Sequence, residues 1–421
     1  MSHASTFETW INDTTERRKA SPSLNWVLPM LIGAVVVALT GIYCRGDLWS
    51  RFWHAYLIAA TYFTSISLGG LFFVVVLHLT GARWGVVLRR LGEIIAVGIG
   101  FCGVLFIPIW WTLLNGDGSL YPWNDARIVG DPSLSTYDVL IASKTKHYLN
   151  APFFVGRSVF YFLLWFGIAR YFYKRSVAQD HASDNAPMAP LRWWSGPAML
   201  VFALSINFAS MDWLMTLRPT WYSTIWGVYY FAGCAISIFA VLAVLIWWLQ
   251  ARDVLTNTIT EEHRHDVGKL LFGFVFFWGY IAFSQFLLIW YANIPEEVQW
   301  YAVRQIDPNS TGISNATALL FTFHLIIPFL GILSRHVRRQ RGILAGWGLY
   351  MLVMHWFDLY YIIAPEHAIT SQRWPLGLPE VATIVGLGAL YVGALLWIAA
   401  GNWLVPVRDP RLAESLAFEN I

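Results

Sequence analysis

The sequence predicts an all-α, polytopic membrane protein. Ten transmembrane helices are expected, with spans 2–5 and 6–9 forming two parallel-repeat four-helix bundles and spans 1 and 10 flanking them. Three observations predict this. Of 421 residues, 57% are hydrophobic and only 13% are charged, about half the charged share of an ordinary soluble domain. Ten apolar runs reach the roughly 20 residues that a helix needs to cross the hydrocarbon core. Lys and Arg are divided unevenly between the connecting loops, as the positive-inside rule requires. The runs are long and continuous rather than short and alternating, which favours helices over barrel strands. The composition excludes a water-soluble enzyme, a disordered chain, a coiled coil and collagen. Three cysteines exclude a disulfide scaffold and an iron–sulfur cluster. Cys44, Cys102 and Cys234 stand alone in apolar runs and read as small buried residues. The net charge of +3 gives no reason to expect nucleic acid.

Residues 1–24 are polar, carry Arg17, Arg18 and Lys19, and read as a cytoplasmic N-terminal segment. The first run, 25–44, is full length and lacks a small-residue cleavage site, so it reads as a retained flanking helix and not a signal peptide. Spans 2 to 5 cover 53–79, 92–114, 152–173 and 197–217, making a first bundle over 53–217. Spans 6 to 9 cover 222–249, 267–293, 315–335 and 343–363, making a second bundle over 222–363. Span 10 covers 380–404, and 405–421 is a short polar tail. With ten spans, the termini and the even-numbered loops share one side. That side holds 19 Lys/Arg residues against 8 on the other, with Arg157 inside a span. Both termini are therefore expected in the cytoplasm. Trp110, Trp111, Trp247, Trp248, Trp290 and Tyr291 sit near span ends, as aromatic belts do. The outer loop 115–151, rich in Asp, Gly, Pro and Ser, reads as a docking surface or cap. Its Asn115–Gly118 stretch carries a weak hint of a calcium turn. The outer loop 294–314 contains Pro295, Glu296 and Glu297, and 174–196 reads as a flexible cytoplasmic linker.

The repeat rests on a few matched features. Span 3 opens near Arg90–Glu93 and ends on Trp110 and Trp111, while span 7 opens near Asp266–Lys269 and ends on Trp290 and Tyr291. Spans 5 and 9 each carry one Asp near the outer end, Asp212 and Asp358. Four spans is an even number, so the two units would be parallel repeats.

Ionisable groups inside a membrane are costly and usually functional. Asp212 and Asp358 lie roughly 22 Å from the cytoplasmic span ends at a rise of about 1.5 Å per residue. Arg157 falls at nearly the same level, and either Asp is a candidate partner for it. His324 and His355 fall near mid-membrane on neighbouring spans. Ser284, Gln285, Tyr291, Tyr229, Tyr230, Tyr360 and Tyr361 add polar groups in the outer half. His78, Glu93 and Lys269 lie toward the cytoplasm. Together these groups suggest two half-channels for protons meeting near His324 and His355. A structural role stands beside each: Arg157 with an Asp as a static clasp, the histidines as interhelical hydrogen-bond partners, Glu93 and Lys269 as solvated anchors. A haem between His324 and His355 is a further alternative, but only one such pair exists, and no second haem level is visible. No CxxC, HExxH, P-loop or GxGxxG occurs in a suitable setting, so neither NTP-driven nor metal-centred chemistry is expected.

Four stretches carry a family resemblance: Tyr148–Phe154, Ser210–Met215, Ala282–Glu297 and His355–Asp358. They resemble the F-subunit family of bacterial alternative complex III, quinone-binding subunits 2 of a quinol:electron-acceptor oxidoreductase. That family lies within the polysulfide-reductase-like (NrfD-like) membrane proteins. The likeness runs over about 25–405, and the stretch ending in Pro295, Glu296 and Glu297 is its most specific part. The resemblance implies ten helices in two four-helix bundles, in the inner membrane of a bacterium. It implies a respiratory complex with a homologous membrane C subunit, a multihaem cytochrome c, an iron–sulfur subunit and small membrane subunits. Haem c and iron–sulfur clusters would belong to those partners, and this chain would be a non-redox membrane subunit. The role implied is proton translocation coupled to quinol oxidation. By position, the family's candidate residues are Asp212, Ser284, Gln285, Tyr291, His355 and Asp358; His324 and Arg157 are nominated from depth alone. Quinone binding draws weaker support, from Asp212 with Trp213 or Asp358 with Tyr360 near an aromatic cleft. The competing reading is a free-standing ion-coupled secondary transporter, whose spans are often broken at the midplane. Here the spans read as mostly unbroken, with Gly69, Gly70, Gly98 and Gly100 as packing positions. A third reading is a purely structural subunit that anchors the cytochrome.

Overall fold

In the computed structural model, residues 10, 19–23, 25–125, 143–305, 316–371 and 376–419 are described. Their order is α1 (Val27–Tyr43), α2 (Trp49–Thr80), α3 (Val86–Val97 and Ile99–Leu114), α4 (Ala151–Gln179), α5 (Ala189–Trp213) and α6 (Trp226–Gln250). There follow α7 (Glu261–Ala292), α8 (Pro295–Gln305), α9 (Ala316–Leu320, Phe321–Ile326 and Ile327–Ile332) and α10 (Arg335–Arg339). The chain closes with α11 (Arg341–Ser371), α12 (Leu378–Ala399) and α13 (Leu412–Leu416). Seven of these, α2 to α7 and α12, are long and apolar enough to cross a membrane, and α1 and α9 are shorter apolar helices. The chain is thus an all-helical, multi-pass membrane protein by the length and composition of its helices.

Local chemistry sets several boundaries. The Asn150 side chain caps α4 by accepting from the Phe153 amide, with Pro152 in the first turn where its missing N–H costs nothing. Gly81 ends α2 at φ +65°, a left-handed cap that a side chain would strain. Two expected spans are irregular within their length. At Gly98 α3 breaks into two segments. In α9, Phe321–Ile326 is a π-turn followed by Pro328. Proline has no amide to donate to the carbonyl four residues earlier, that of His324, so the ladder widens there. Both are local changes of winding: the Gly98 amide still bonds the Ile94 carbonyl and Val86–Leu114 counts as one span, so the spans are mostly unbroken, as expected.

Helices α2, α3, α4 and α5 contact one another in a ring, and α6, α7, α9 and α11 form a second ring. The rings meet where α2 packs on α6 and α11, and α12 pairs with α1 and leans on α2. In its most apolar stretch α2 is 78% buried and α6 72%, against 28% for α4 and 33% for α7. The two helices at the seam therefore form the centre, while α4 and α7 present a face to lipid. Gly69 makes the seam possible, since a Cβ there would lie 2.2 Å from the Cys234 carbonyl oxygen.

One end of the molecule, called here the basic end, is tied by buried ion pairs. Arg89 bonds Glu93 at 3.1 Å and Asp409 at 2.5 Å; Arg90 bonds Glu93 and Asp180, both at 2.9 Å. Glu93 is therefore a buried network member, not a solvated anchor. Asp180 lies in the stretch expected to be a flexible linker. That stretch is mostly helix, since α4 runs to Gln179 and α5 resumes at Ala189. The tail is likewise packed, with His263 Nε2 against the Ser415 carbonyl at 3.0 Å and Leu412 buried. At the far end, Arg51 at the start of α2 bonds Glu380 at the start of α12 at 2.7 Å. The expected loop 294–314 contains α8, whose Arg304 is buried against Trp300 and paired with Glu366 at 2.9 Å. At Asn115–Gly118, the stretch with the hint of a calcium turn, Asp117 accepts from Trp49 Nε1 at Oδ2 and from the Ser119 amide at Oδ1. The N-terminal Arg17 and Arg18, and much of the loops 115–151 and 294–314, lie outside the described residues.

Candidate functional site

The second ring holds a polar cluster. His355 and Asp358 are three residues apart on α11 and share a face; His324 reaches them from the π-turn of α9. Their ligand-capable atoms all lie within 4.8 Å of one another, and all three residues are buried. Asp358 accepts from Tyr229 on α6 at 2.5 Å and from Trp278 on α7 at 3.2 Å. His355 Nε2 meets Ser65 Oγ of α2 at 2.7 Å, so the site reaches across the seam. A Cβ on Gly233 would come 2.5 Å from the His355 ring, so only glycine on α6 leaves room for the imidazole. His324 lies over Trp278, ring centroids 3.9 Å apart. Both its ring nitrogens, and Nδ1 of His355, have no hydrogen-bond partner among the described residues.

Unpaired buried nitrogens are expensive, about 1–3 kcal/mol each. A neutral imidazole offers one donor and one acceptor. Two such rings beside a carboxylate can pass a proton among Asp358, His355 Nδ1 and His324, directly or through one water. The same spacing would suit a metal ion. The bonds from Tyr229 and Trp278 would then orient Asp358 from outside, since each of its oxygens keeps a second lone pair.

Beside the cluster opens a cleft of ≈ 390 Å³, lined by Tyr229, Trp278, Phe286, Trp300, Tyr301 and Tyr361 among others. Two of its wall residues, Tyr229 and Trp278, are the donors to Asp358. Depth reasoning did not single out Trp278 or Ser65. Nothing in a lone indole or serine of an apolar run marks it as a partner of a residue 80 or 290 positions away.

The first ring treats its carboxylate differently. Arg157 holds Asp212 through two bonds, Nε to Oδ2 at 2.9 Å and Nη2 to Oδ1 at 2.8 Å. Tyr148 and Tyr161 donate to the same carboxylate at 3.1 and 2.9 Å. Arg157 also lies over the Tyr148 ring, 4.0 Å from its centroid. Burial, then the Asp212 charge, push the Tyr148 hydroxyl up to about 12. It therefore remains a donor throughout the ordinary pH range. Of the two possible partners for Arg157, Asp212 is the one used, and the geometry is that of a clasp. Trp213 is fully buried with its Nε1 on Ser158 Oγ at 2.9 Å.

The remaining candidates do not join one path. Gln285 is buried with both amide atoms unpartnered among the described residues. Ser284 is half-buried on α7, and Tyr291 is 84% exposed at its far end, outside the bundle. Tyr360 is fully buried and stacked on Trp356. His78 packs at a tilt against Phe172 and lines a small basic cavity with Arg89, Arg192 and Arg411. Lys269 pairs with Asp266 one turn before it and is half-exposed. The structure thus gathers His324, His355 and Asp358, and places Asp212 with Arg157 in the other ring.

The fold defines a class, the helical multi-pass membrane proteins, and this one carries a buried His324–His355–Asp358 cluster. No protein-family model matches the chain, and no curated protein matches it.

Proposed function

We propose that the chain is an integral membrane subunit of a quinol:electron-acceptor oxidoreductase of the alternative complex III type. In this reading ten helices cross a bacterial inner membrane with both termini in the cytoplasm, and the two rings are parallel repeats. The chain carries no redox metal. It moves protons in step with quinol oxidation and scaffolds its partners: a homologous C subunit, a multihaem cytochrome c, an iron–sulfur subunit and small membrane subunits. The observation that carries the reading is the buried His324–His355–Asp358 cluster, because such groups at membrane depth are retained for proton or ion work. The resemblance of Ala282–Glu297 to the family supplies the choice of complex. Quinone binding, if it belongs to this chain, fits the aromatic cleft better than Asp212 or Tyr360, since Tyr229 and Trp278 join the cleft wall to Asp358.

The transporter reading keeps one observation of its own. The π-turn at His324 is an irregularity of the kind transporters place at substrate sites.

Gentle detergent purification of the tagged chain, with subunit identification and a haem spectrum, separates the two. Co-purification with a c-type multihaem protein and an iron–sulfur subunit is expected. A colourless, solitary protein would overturn the complex and favour the transporter.

A further inference from the structure

We propose that the groove between α3, α4 and α12 is a binding site for one anionic phospholipid. The acyl chains would run along the groove, with the phosphate held by Arg170 and Lys174. The groove lies outside the second ring, so this inference does not depend on the proton cluster.

The groove has a volume of ≈ 890 Å³. It extends along α3 from Val97 to Trp110, about 20 Å at helical rise, more than the roughly 15 Å depth of one leaflet. Val104, Ile107 and Leu163 line it and are 52%, 52% and 65% exposed, so its apolar walls are open to the acyl region. Gly100 and Gly103 let the rings of Phe166 and Phe162 lie close on α3. A Cβ at Gly100 would stand 2.6 Å from Phe166 and push that wall outward.

Charge enters the groove at one end only. Arg170 and Lys174, one turn apart on α4, are its only ionisable lining residues apart from Tyr173, and both lie toward the basic end. The buried Arg89, Arg90 and Arg304 and the half-buried Arg51 and Arg157 are each paired with a carboxylate. Arg170 and Lys174 have no ion-pair partner among the described residues and are exposed. Two unneutralised cations capping a long apolar channel call for a ligand with one anionic end and a long apolar body. Long cationic side chains at a span end reach the headgroup level, where a phosphate diester lies. A free phosphate matches the cations but leaves the apolar groove uncovered.

The test is native mass spectrometry of the full chain, purified in mild detergent from its own membranes and titrated with phosphatidylglycerol, phosphatidylcholine or inorganic phosphate. One tightly retained phosphatidylglycerol per chain is expected, with weaker phosphatidylcholine binding. Arg170→Gln with Lys174→Gln should weaken phosphatidylglycerol binding by about fivefold per charge, roughly 25-fold in all. Val104→Trp should displace the lipid with both cations intact, and a single cooperative thermal transition with wild-type helix content shows that each variant is folded. Equal affinity for the two lipids, wild-type retention in the folded double variant, or phosphate competing as well as the whole lipid would each overturn the proposal.

Discussion

Asp212 accepts four donors, from Arg157 twice and from Tyr148 and Tyr161. Its charge is matched and its oxygens are occupied. Asp358 accepts only neutral donors, from Tyr229 and Trp278, and faces two histidines with unpartnered nitrogens. The two carboxylates therefore answer differently to substitution. Arg157→Leu strands a buried carboxylate, which costs about 3–5 kcal/mol, so the yield of intact protein should fall sharply. A normal yield would show that the clasp is dispensable. Asp358→Asn keeps the shape but removes the carboxylate, and under the proposed proton role proton-coupled turnover should fall about tenfold or more with assembly unchanged. Protons released per quinol equal to wild type would remove the cluster from the path. Tyr291 shows what depth alone misses: its span position suggested a path residue, yet it lies on the outward face of α7 and is 84% exposed. A rotation of 100° per residue decides between bundle interior and lipid, and a helix that is apolar all round gives no signal of that angle.

At the scale of the element, the seven long apolar helices were readable because their apolar runs exceed anything packing in water requires. Irregularities in the spans were harder to read. Pro328 was visible in span 8, but the π-turn that turns His324 inward depends on neighbours tolerating the wider turn. Gly98 and Gly69 looked alike as packing glycines. One marks the change of winding in α3, and the other lets α2 approach the α6 backbone. Gly69→Ala should force that seam apart and cost about 1–3 kcal/mol, read as a lower midpoint of thermal unfolding in detergent. An unchanged midpoint would mean that the helices slide without loss. The linker at 174–196 was misjudged because its polar composition is that of a loop, while Asp180 within it is fixed by Arg90 from another helix.

Across the whole molecule, the basic end is one network. Arg89, Arg90, Glu93, Asp180 and Asp409 join α3, the end of α4 and the tail in buried contacts. Asp409→Asn leaves Arg89 with Glu93 alone, and Glu93 already serves Arg90. The tail should then loosen, with faster proteolysis after residue 405 and a melt lowered by a few degrees. Protection equal to wild type would mean that the tail is held by Leu412 and the Ser415 contacts instead.

The sequence by itself determined that the chain is helical, that its long apolar segments suit a bilayer, and which ionisable groups lie deep within them. Those properties follow from composition and from the fixed rise of a helix. Tertiary structure decided which of those groups meet. It brought His324, His355 and Asp358 within 4.8 Å, gave Arg157 to Asp212, and left Tyr291 outside. The physical reason is that partner choice depends on helix rotation and on which helices share a seam. Both are set by small residues such as Gly69 and Gly233 at close contacts, where one missing Cβ decides whether a backbone or an imidazole fits.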